Sequence, residues 1–278
     1  MKSGGGGNWS GMGDSQLSPG VCVAMATLNE AACLEACLKS VQWADEIVIV
    51  DDGSTDGTVE IARRFTDKVT IAPSHGNFHA NKNLAIQTAT RQWVLSLDAD
   101  EVIPAELADE IRHAIQGTSY AAFRLGRRNH FLGRWIRHGG WYPDRIIRLF
   151  RKGVTQWPLE IHETPQVSPP DMVGEVRAEF LHFSYRSLDQ YFEKFNRYTS
   201  RLAREADERG DPVGPARALL ELFIRPPAWF LYRYVARLGL LDGLPGLFIA
   251  FSSALVIAVS YFKLWEIRTR PSSRAAGS

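Results

Sequence analysis

The sequence predicts an α/β fold, a mostly parallel sheet flanked by helices, followed by a helical C-terminal region. Short β-branched runs such as Ile47-Val48-Ile49-Val50 alternate with segments of helical apolar spacing, the pattern of βαβ units. Two such runs stop at acids and turn residues, Asp51-Asp52-Gly53-Ser54 and Asp98-Ala99-Asp100-Glu101. Ligands of open α/β sheets bind beyond the carboxyl ends of strands, where these acids fall. The chain then changes character, and 243–262 contains no charged residue.

Taken in order, residues 1–20 carry a glycine run and no apolar h-region. They read as a disordered leader, not a secretory signal. A strand at 21–27 ends in Thr27-Leu28-Asn29-Glu30, with Asn29 placed to cap a helix over 31–40. Within that helix Cys33, Leu34, Cys37 and Leu38 recur at helical spacing. The run 46–51 is too short for a buried helix and predicts a buried parallel strand. Asp56 is a candidate N-cap for a helix over 58–65. A short strand at 68–71, a helix over 79–90 and a strand at 93–97 follow. Pro104 suits the start of a helix reaching about residue 116. Beyond 120–124 aromatics and arginines take over. Residues 131–141 read as loop, and 145–150 alternates as a mixed or edge strand does. Ser187-Leu188-Asp189-Gln190 has capping-box spacing and predicts a long helix to about residue 208.

The 278 residues are 45% hydrophobic and 23% charged, a globular composition. A formal net charge of +1 argues against a dedicated nucleic-acid binder. It conceals an asymmetry: 212–278 carries +5 and the remainder −4. A basic, hydrophobic tail on an acidic body predicts contact with anionic lipid. Cys22, Cys33 and Cys37 have no nearby histidine to complete a zinc site and read as buried free thiols. Nothing demands a disulfide, which fits a reducing compartment.

Asp-x-Asp on an extended segment sends both side chains to one side. Asp98 and Asp100 therefore form a natural site for Mg²⁺ or Mn²⁺, which keeps much of its shell for water and substrate phosphate. Asp52-x-Ser54-x-Asp56-Gly57 begins like a calcium loop, but its twelfth position is Arg63 instead of Glu. Neither a phosphate-binding Gly-Lys-Ser/Thr loop nor a GxGxxG turn is present.

Thr27-Leu28-Asn29-Glu30, Asp51-Asp52-Gly53-Ser54-Thr55-Asp56, Lys82-Asn83 and Asp98-Ala99-Asp100 follow one order and spacing. In this the chain resembles family 2 glycosyltransferases with the Rossmann-like GT-A fold. His138-Gly139-Gly140-Trp141-Tyr142-Pro143-Asp144, Arg148-Leu149-Phe150 and Ile161-His162-Glu163 resemble the branch of lipopolysaccharide inner-core β-1,4-glucosyltransferases. The resemblance covers roughly residues 21 to 205. It implies a GT-A catalytic domain over 21–185, after the leader; the remainder, 186–278, reads from its own composition as a helical, membrane-associated region. It also implies that Thr27, Asn29 and Glu30 line the nucleotide pocket and that Asp51 and Asp52 contact uracil or ribose. Lys82 then lies beside the nucleotide. Asp98 and Asp100 coordinate a metal on the diphosphate, and Asp98 also contacts the donor. A late histidine, His182 or His162, completes the metal shell in some such enzymes, although both also read as core or surface residues.

Inverting transfer needs a general base to deprotonate the acceptor hydroxyl. Glu163 is the first candidate and Asp144 the second. Glu163 could instead pair with a surface arginine, and Asp144 with Arg145 or Arg148. Trp141 and Tyr142 either face a sugar ring or simply pack. Arg127, Arg128, Arg134 and Arg137 either bind phosphates of an anionic acceptor or form a solvated basic loop.

The tail is long enough to cross a bilayer. Its interrupting glycine, proline and serine residues, and basic residues on both flanks, favour helices lying on or dipping into the membrane. A true span and a helix packed on the protein are the other readings. The expected activity is inverting transfer of glucose from UDP-glucose to a membrane glycolipid, a heptose of lipopolysaccharide inner core. The expected place is the cytoplasmic face of the inner membrane, peripheral or shallowly inserted. A polyprenyl-phosphate glycosyltransferase, or an inactive nucleotide-sugar-binding or scaffold module, is the alternative.

Overall fold

The computed structural model describes residues 17–74, 76–158, 165, 167 and 170–269. The chain begins with β1 (Ser18–Thr27), α1 (Ala31–Ser40), β2 (Glu46–Asp51), α2 (Thr58–Arg63), β3 (Val69–Ile71), α3 (Phe78–Thr88) and β4 (Arg91–Asp98). These four strands are parallel in the order β3-β2-β1-β4. Every residue of β2 is buried, as expected for a strand covered on both faces. Each Val or Ile so buried contributes about 1.5–3 kcal/mol. The parallel register places Thr27 opposite Asp51 and Ala26 opposite Asp98. Three chain segments therefore end at one sheet edge.

After β4 come β5 (Glu101–Val102), α4 (Ala105–Ala114), β6 (Ala122–Phe131), β7 (Arg134–Trp135), β8 (Arg145–Arg151) and β9 (Val173–Tyr185). The sheet continues from β4 in the order β8-β6-β9-β5, with β7 hairpinned onto β6. β8 runs antiparallel to both β4 and β6. It is an interior strand rather than an edge, so Arg148, in its middle, is only 2% exposed. The sheet is thus parallel in its first half and mixed beyond β4.

Two helix starts differ from the expected caps. Glu30, not Asn29, is the N-cap of α1, and Gly57, not Asp56, that of α2. Asn29 adopts φ 54°, and its Oδ1 accepts from Thr55 N at 2.9 Å. Asp56 Oδ1 accepts from Thr58 N at 3.0 Å, and its Oδ2 from Ala31 N at 3.2 Å. Both polar side chains stitch the β1–α1 and β2–α2 turns together. Cys22 and Cys37 are buried free thiols. Burial, then nearby carboxylates, pushes both well above the ordinary thiol value.

The chain divides into two compact units: Met1–Arg128 with Asp144–His182, and Asn129–Pro143 with Phe183–Ser278. The division is discontinuous, whereas the sequence suggested a single cut after 185. β1 also starts inside the expected leader.

In the second unit, α5 (Leu188–Glu208) is capped as its sequence predicts. Ser187 Oγ accepts from Gln190 N at 3.1 Å, and Gln190 Oε1 from Arg186 N at 2.9 Å. Beyond it, α6 (Pro215–Leu219) and α7 (Arg225–Leu231) are each followed by a π-helical stretch, Leu220–Ile224 and Tyr232–Ala236. Pro226 and Pro227 supply no amide hydrogen to the helical ladder there. The last helix, α8 (Gly243–Thr269), packs one face on α5. Tyr191 Oη donates to Ser252 Oγ at 2.7 Å, and Lys263 Nζ donates to Thr199 Oγ1 at 2.8 Å. Phe131, Ile136, Tyr191 and Ile249 form this unit's core.

Candidate active site

The first acidic turn is held by neutral donors. Asp51 is 1% exposed. Its Oδ1 accepts from Gly53 N at 3.0 Å and Ser54 N at 2.7 Å. Its Oδ2 accepts from Thr27 Oγ1 at 3.0 Å and Ser54 Oγ at 2.6 Å. Four accepted bonds use the capacity of a carboxylate. Asp51 and Thr27, both expected at the nucleotide, are bonded to each other and shape this turn. Asp52 takes bonds from the amide and hydroxyl of Ser74. Asn29 is exposed and Glu30 half-buried at the same edge. Glu30 Oε2 accepts from the Cys33 thiol at 3.0 Å.

The second acidic turn is held by cations. Asp98 closes β4, with its Oδ1 2.6 Å from Lys82 Nζ and its Oδ2 2.7 Å from Arg148 Nη2. Arg148 Nη2 also reaches Glu101 Oε1 at 2.5 Å, and Glu101 Oε2 accepts from Asp98 N at 2.9 Å. Lys82 and Glu101 are buried. Trp157 covers the cluster, its ring centroid 4.1 Å from Lys82 Nζ and 5.4 Å from Arg148 Cζ. It is pinned by two bonds between its backbone and the Asn83 amide, both 2.8 Å, and by Nε1 donating to Ser96 Oγ at 3.0 Å.

Burial opposes the charged form of Asp98. The Arg148 and Lys82 cations outweigh it and hold the carboxyl well below the usual carboxylate range. For Glu101 burial wins over Arg148 and its value rises. Burial likewise lowers Lys82, partly offset by Asp98. Arg148 goes the other way: burial would lower it, but Asp98 and Glu101 raise it, so it stays charged.

Asp100 meets His182 beside Glu101 of this cluster. Its Oδ2 lies 3.5 Å from His182 Nε2, which β9 delivers by pairing with β5. Among the described residues no group of three or more His, Cys, Asp or Glu side chains is arranged to hold a metal. Of the expected trio, Asp100 and His182 lie side by side, while Asp98 sits between Lys82 and Arg148. A cation between the Asp98 oxygens would meet two like charges. A carboxylate beside an imidazole suits a divalent ion whose shell is completed by water and phosphate. Asp100 and His182 would suit such an ion.

Of the candidate bases, Glu163 lies outside the described residues, as does His162. Asp144 Oδ2 accepts from Arg127 Nε at 2.8 Å, with Nη2 at 2.7 Å. Among the described residues it pairs with Arg127, where the sequence suggested Arg145 or Arg148. Arg128 pairs with Glu179 at 2.8 Å. In the second unit Trp141 packs edge-on against Phe131, and Tyr142 against Trp135.

Sequence reasoning undervalued Arg148, Glu101 and Trp157. One signal was available: a lone arginine inside the apolar run Ile146-Ile147-Arg148-Leu149-Phe150 requires a buried counter-charge.

The glycosyl transferase family 2 model matches residues 22–166, more than half of the chain. The chain belongs to glycosyl transferase family 2. It is 28% identical over 257 residues to the lipopolysaccharide core biosynthesis glycosyltransferase LpsC of Rhizobium meliloti, covering 88% of this chain and 92% of LpsC. It is 27% identical over 248 residues to an uncharacterized glycosyltransferase of Rickettsia typhi, covering 85% of this chain and 82% of that one. Among solved structures, TarS 1–349 of S. aureus in complex with UDP has a TM-score of 0.46 at 15% identity, covering 89% of this chain and 91% of that 1–349 fragment. That structural likeness carries no functional argument.

Proposed function

We propose that this family 2 glycosyltransferase is an inverting, metal-dependent enzyme moving glucose from UDP-glucose to a heptose of lipopolysaccharide inner core. It would work at the cytoplasmic face of the inner membrane. The observation that carries the reading is the division of labour after β4. Asp98 is locked between Lys82 and Arg148, while Asp100 is turned to His182. The similarity to LpsC, a protein named for lipopolysaccharide core biosynthesis, supports the acceptor class.

In this reading Asn29, Glu30 and Asp52 border the nucleotide, with Asp51 and Thr27 holding their turn. Asp98 faces the donor from a fixed position, and Asp100 with His182 would hold a Mg²⁺ or Mn²⁺ ion. When bound, that ion offsets the charge developing on the departing diphosphate. Glu163 takes the proton of the acceptor hydroxyl. The acceptor oxygen bonds to the anomeric carbon as the carbon–oxygen bond to UDP breaks, and UDP leaves with that electron pair. Asp144, tied to Arg127, is the second candidate base.

Membrane association rests on the C-terminal helices. The stretch Gly239–Thr269 is long and apolar enough to cross a bilayer, and 28% of its most apolar window is buried. Leu244, Phe251, Phe262 and Trp265 are exposed along α8. We favour helices lying on or dipping into the membrane.

A donor panel with membrane extract as acceptor tests the activity, reading UDP release and glycolipid mass together. Glucose added to core heptose is expected, with loss of turnover on chelation and recovery with Mn²⁺ or Mg²⁺. Sugar on a polyprenyl phosphate would replace the acceptor assignment. No nucleotide release from any donor would indicate a binding module instead. Glu163→Gln is expected to slow turnover about 10²–10⁴-fold with donor binding retained. An unaffected rate there, with Asp144→Asn impaired, would move the base to Asp144. Recovery of the whole protein in a low-salt, detergent-free soluble fraction would remove the membrane association.

A further inference from the structure

Four arginines lie on two segments of the second unit that meet at Gly139 and Gly140, Arg134 and Arg137 on one and Arg233 and Arg237 on the other, and among the described residues no carboxylate pairs with them. Arg237 Nε and Nη2 lie 3.8 Å, and Arg233 Nη2 3.9 Å, from where a side chain on Gly140 would begin. Arg134 Nη1 lies 3.6 Å from the same position on Gly243. Arg137 stacks over Trp135 at 4.2 Å. Gly139 N donates to Arg237 O at 2.8 Å, joining the loop to the arginine-bearing segment. The carboxylate carried by these segments, Asp242, accepts from Arg137 N at 3.2 Å and His138 N at 2.8 Å, and faces His138 Nδ1 at 3.1 Å. Among the described residues none of the four arginines has an ion-pair partner, and Arg233 Nε is buried without a hydrogen bond. Burial, and then the like charge of Arg237, pulls Arg233 below its ordinary value.

Gathering like charges around a half-buried guanidinium is unfavourable unless an anion joins them. Arginine forks suit the oxygens of a phosphate. Beside them Leu238, Leu241 and Leu244 are exposed, Leu244 at 77%. A site for a soluble phosphate needs no aliphatic rim, whereas a site at a bilayer surface does.

We propose that Arg134, Arg137, Arg233 and Arg237 bind the phosphate of an anionic membrane lipid, with Leu238, Leu241 and Leu244 entering the adjacent acyl region. The inference rests on the membrane-facing reading of the second unit and names its headgroup contact. It also reassigns the basic loop: Arg127 and Arg128 hold Asp144 and Glu179, while Arg134 and Arg137 serve the lipid.

Flotation of the full chain with phosphatidylcholine vesicles, with and without phosphatidylglycerol, tests it. Wild-type protein should prefer the anionic vesicles. Arg233→Gln/Arg237→Gln should lower binding to them about fivefold per arginine, with neutral-vesicle binding retained. Lys39→Gln/Arg112→Gln, the same charge change in the first unit, should have a much smaller effect. Arg233→Lys/Arg237→Lys should keep most of the preference. If the double glutamine variant melts early, the exposed Arg237→Gln alone should still show the single-step loss. Equal losses in the two glutamine pairs would overturn the site. So would a wild-type protein that floats equally with both vesicles, although the membrane reading would survive. Failure to float with either would sink both. Loss of the preference in millimolar inorganic phosphate, at constant ionic strength, would assign the arginines to soluble phosphate and overturn the lipid.

Discussion

Asp51 at the end of β2 and Asp98 at the end of β4 occupy matching places, each one ladder from β1. Asp51 is surrounded by two amides and two hydroxyls, Asp98 by an ammonium and a guanidinium. The first arrangement stores no net charge beyond its own and needs only short local segments. The second is a four-member charge cluster, with Glu101 its other acid and Trp157 its lid. Similar acidic strand ends can therefore serve different ends: one builds a turn, and the other holds a carboxylate ionised and immobile next to Asp100.

The largest test of this contrast lies just beyond the cluster. Asp100→Ala should reduce turnover on the order of a hundred- to a thousand-fold while the melting temperature changes little, because Lys82 and Arg148 keep their Asp98 pairs without it. Unchanged turnover would detach Asp100 from the chemistry. Next comes a matched pair of substitutions. Asp98→Asn removes a buried charge facing two cations and should cost about 3 kcal/mol of unfolding free energy. Asp51→Asn keeps an acceptor oxygen and should cost only about 1 kcal/mol. Equal losses in urea titrations of the two variants would erase the distinction.

A smaller effect follows from titration. The Asp98 carboxyl is held below its unfolded value, about 3.9, so its contribution is present above that pH. It is lost only as pH falls through the depressed folded value. Glu101 has the opposite sign: its raised value favours the protonated native state and removes stability as pH rises through that value. Stability curves of wild type and Asp98→Asn should therefore converge in strong acid and separate above the usual carboxylate range. Parallel curves throughout would mean that Asp98 is not an ionised partner. The smallest expected change is Ser74→Ala, which deletes one hydroxyl bond to Asp52 and should cost about 1 kcal/mol.

The α/β alternation, the positions of both acidic turns and the Ser187 capping box were legible in the sequence. All depend on local periodicity and turn chemistry, which a few consecutive residues express. The caps at Asn29 and Asp56 differ from expectation because each side chain also reaches across to the neighbouring turn. Arg148 was undervalued for a larger reason. It meets Asp98 from 50 residues away, and only the antiparallel insertion of β8 beside β4 brings it there.

By itself, then, the sequence determined where the strands end in acids, that the chain matches a glycosyltransferase family, and that its tail is apolar and basic. The tertiary structure decided how those charges are spent. It gave Asp98 to Lys82 and Arg148, set Asp100 beside His182, and left Arg233 and Arg237 without a carboxylate among the described residues. An ion pair depends on which distant strand or helix arrives within about 4 Å, and spacing along the chain does not encode that distance.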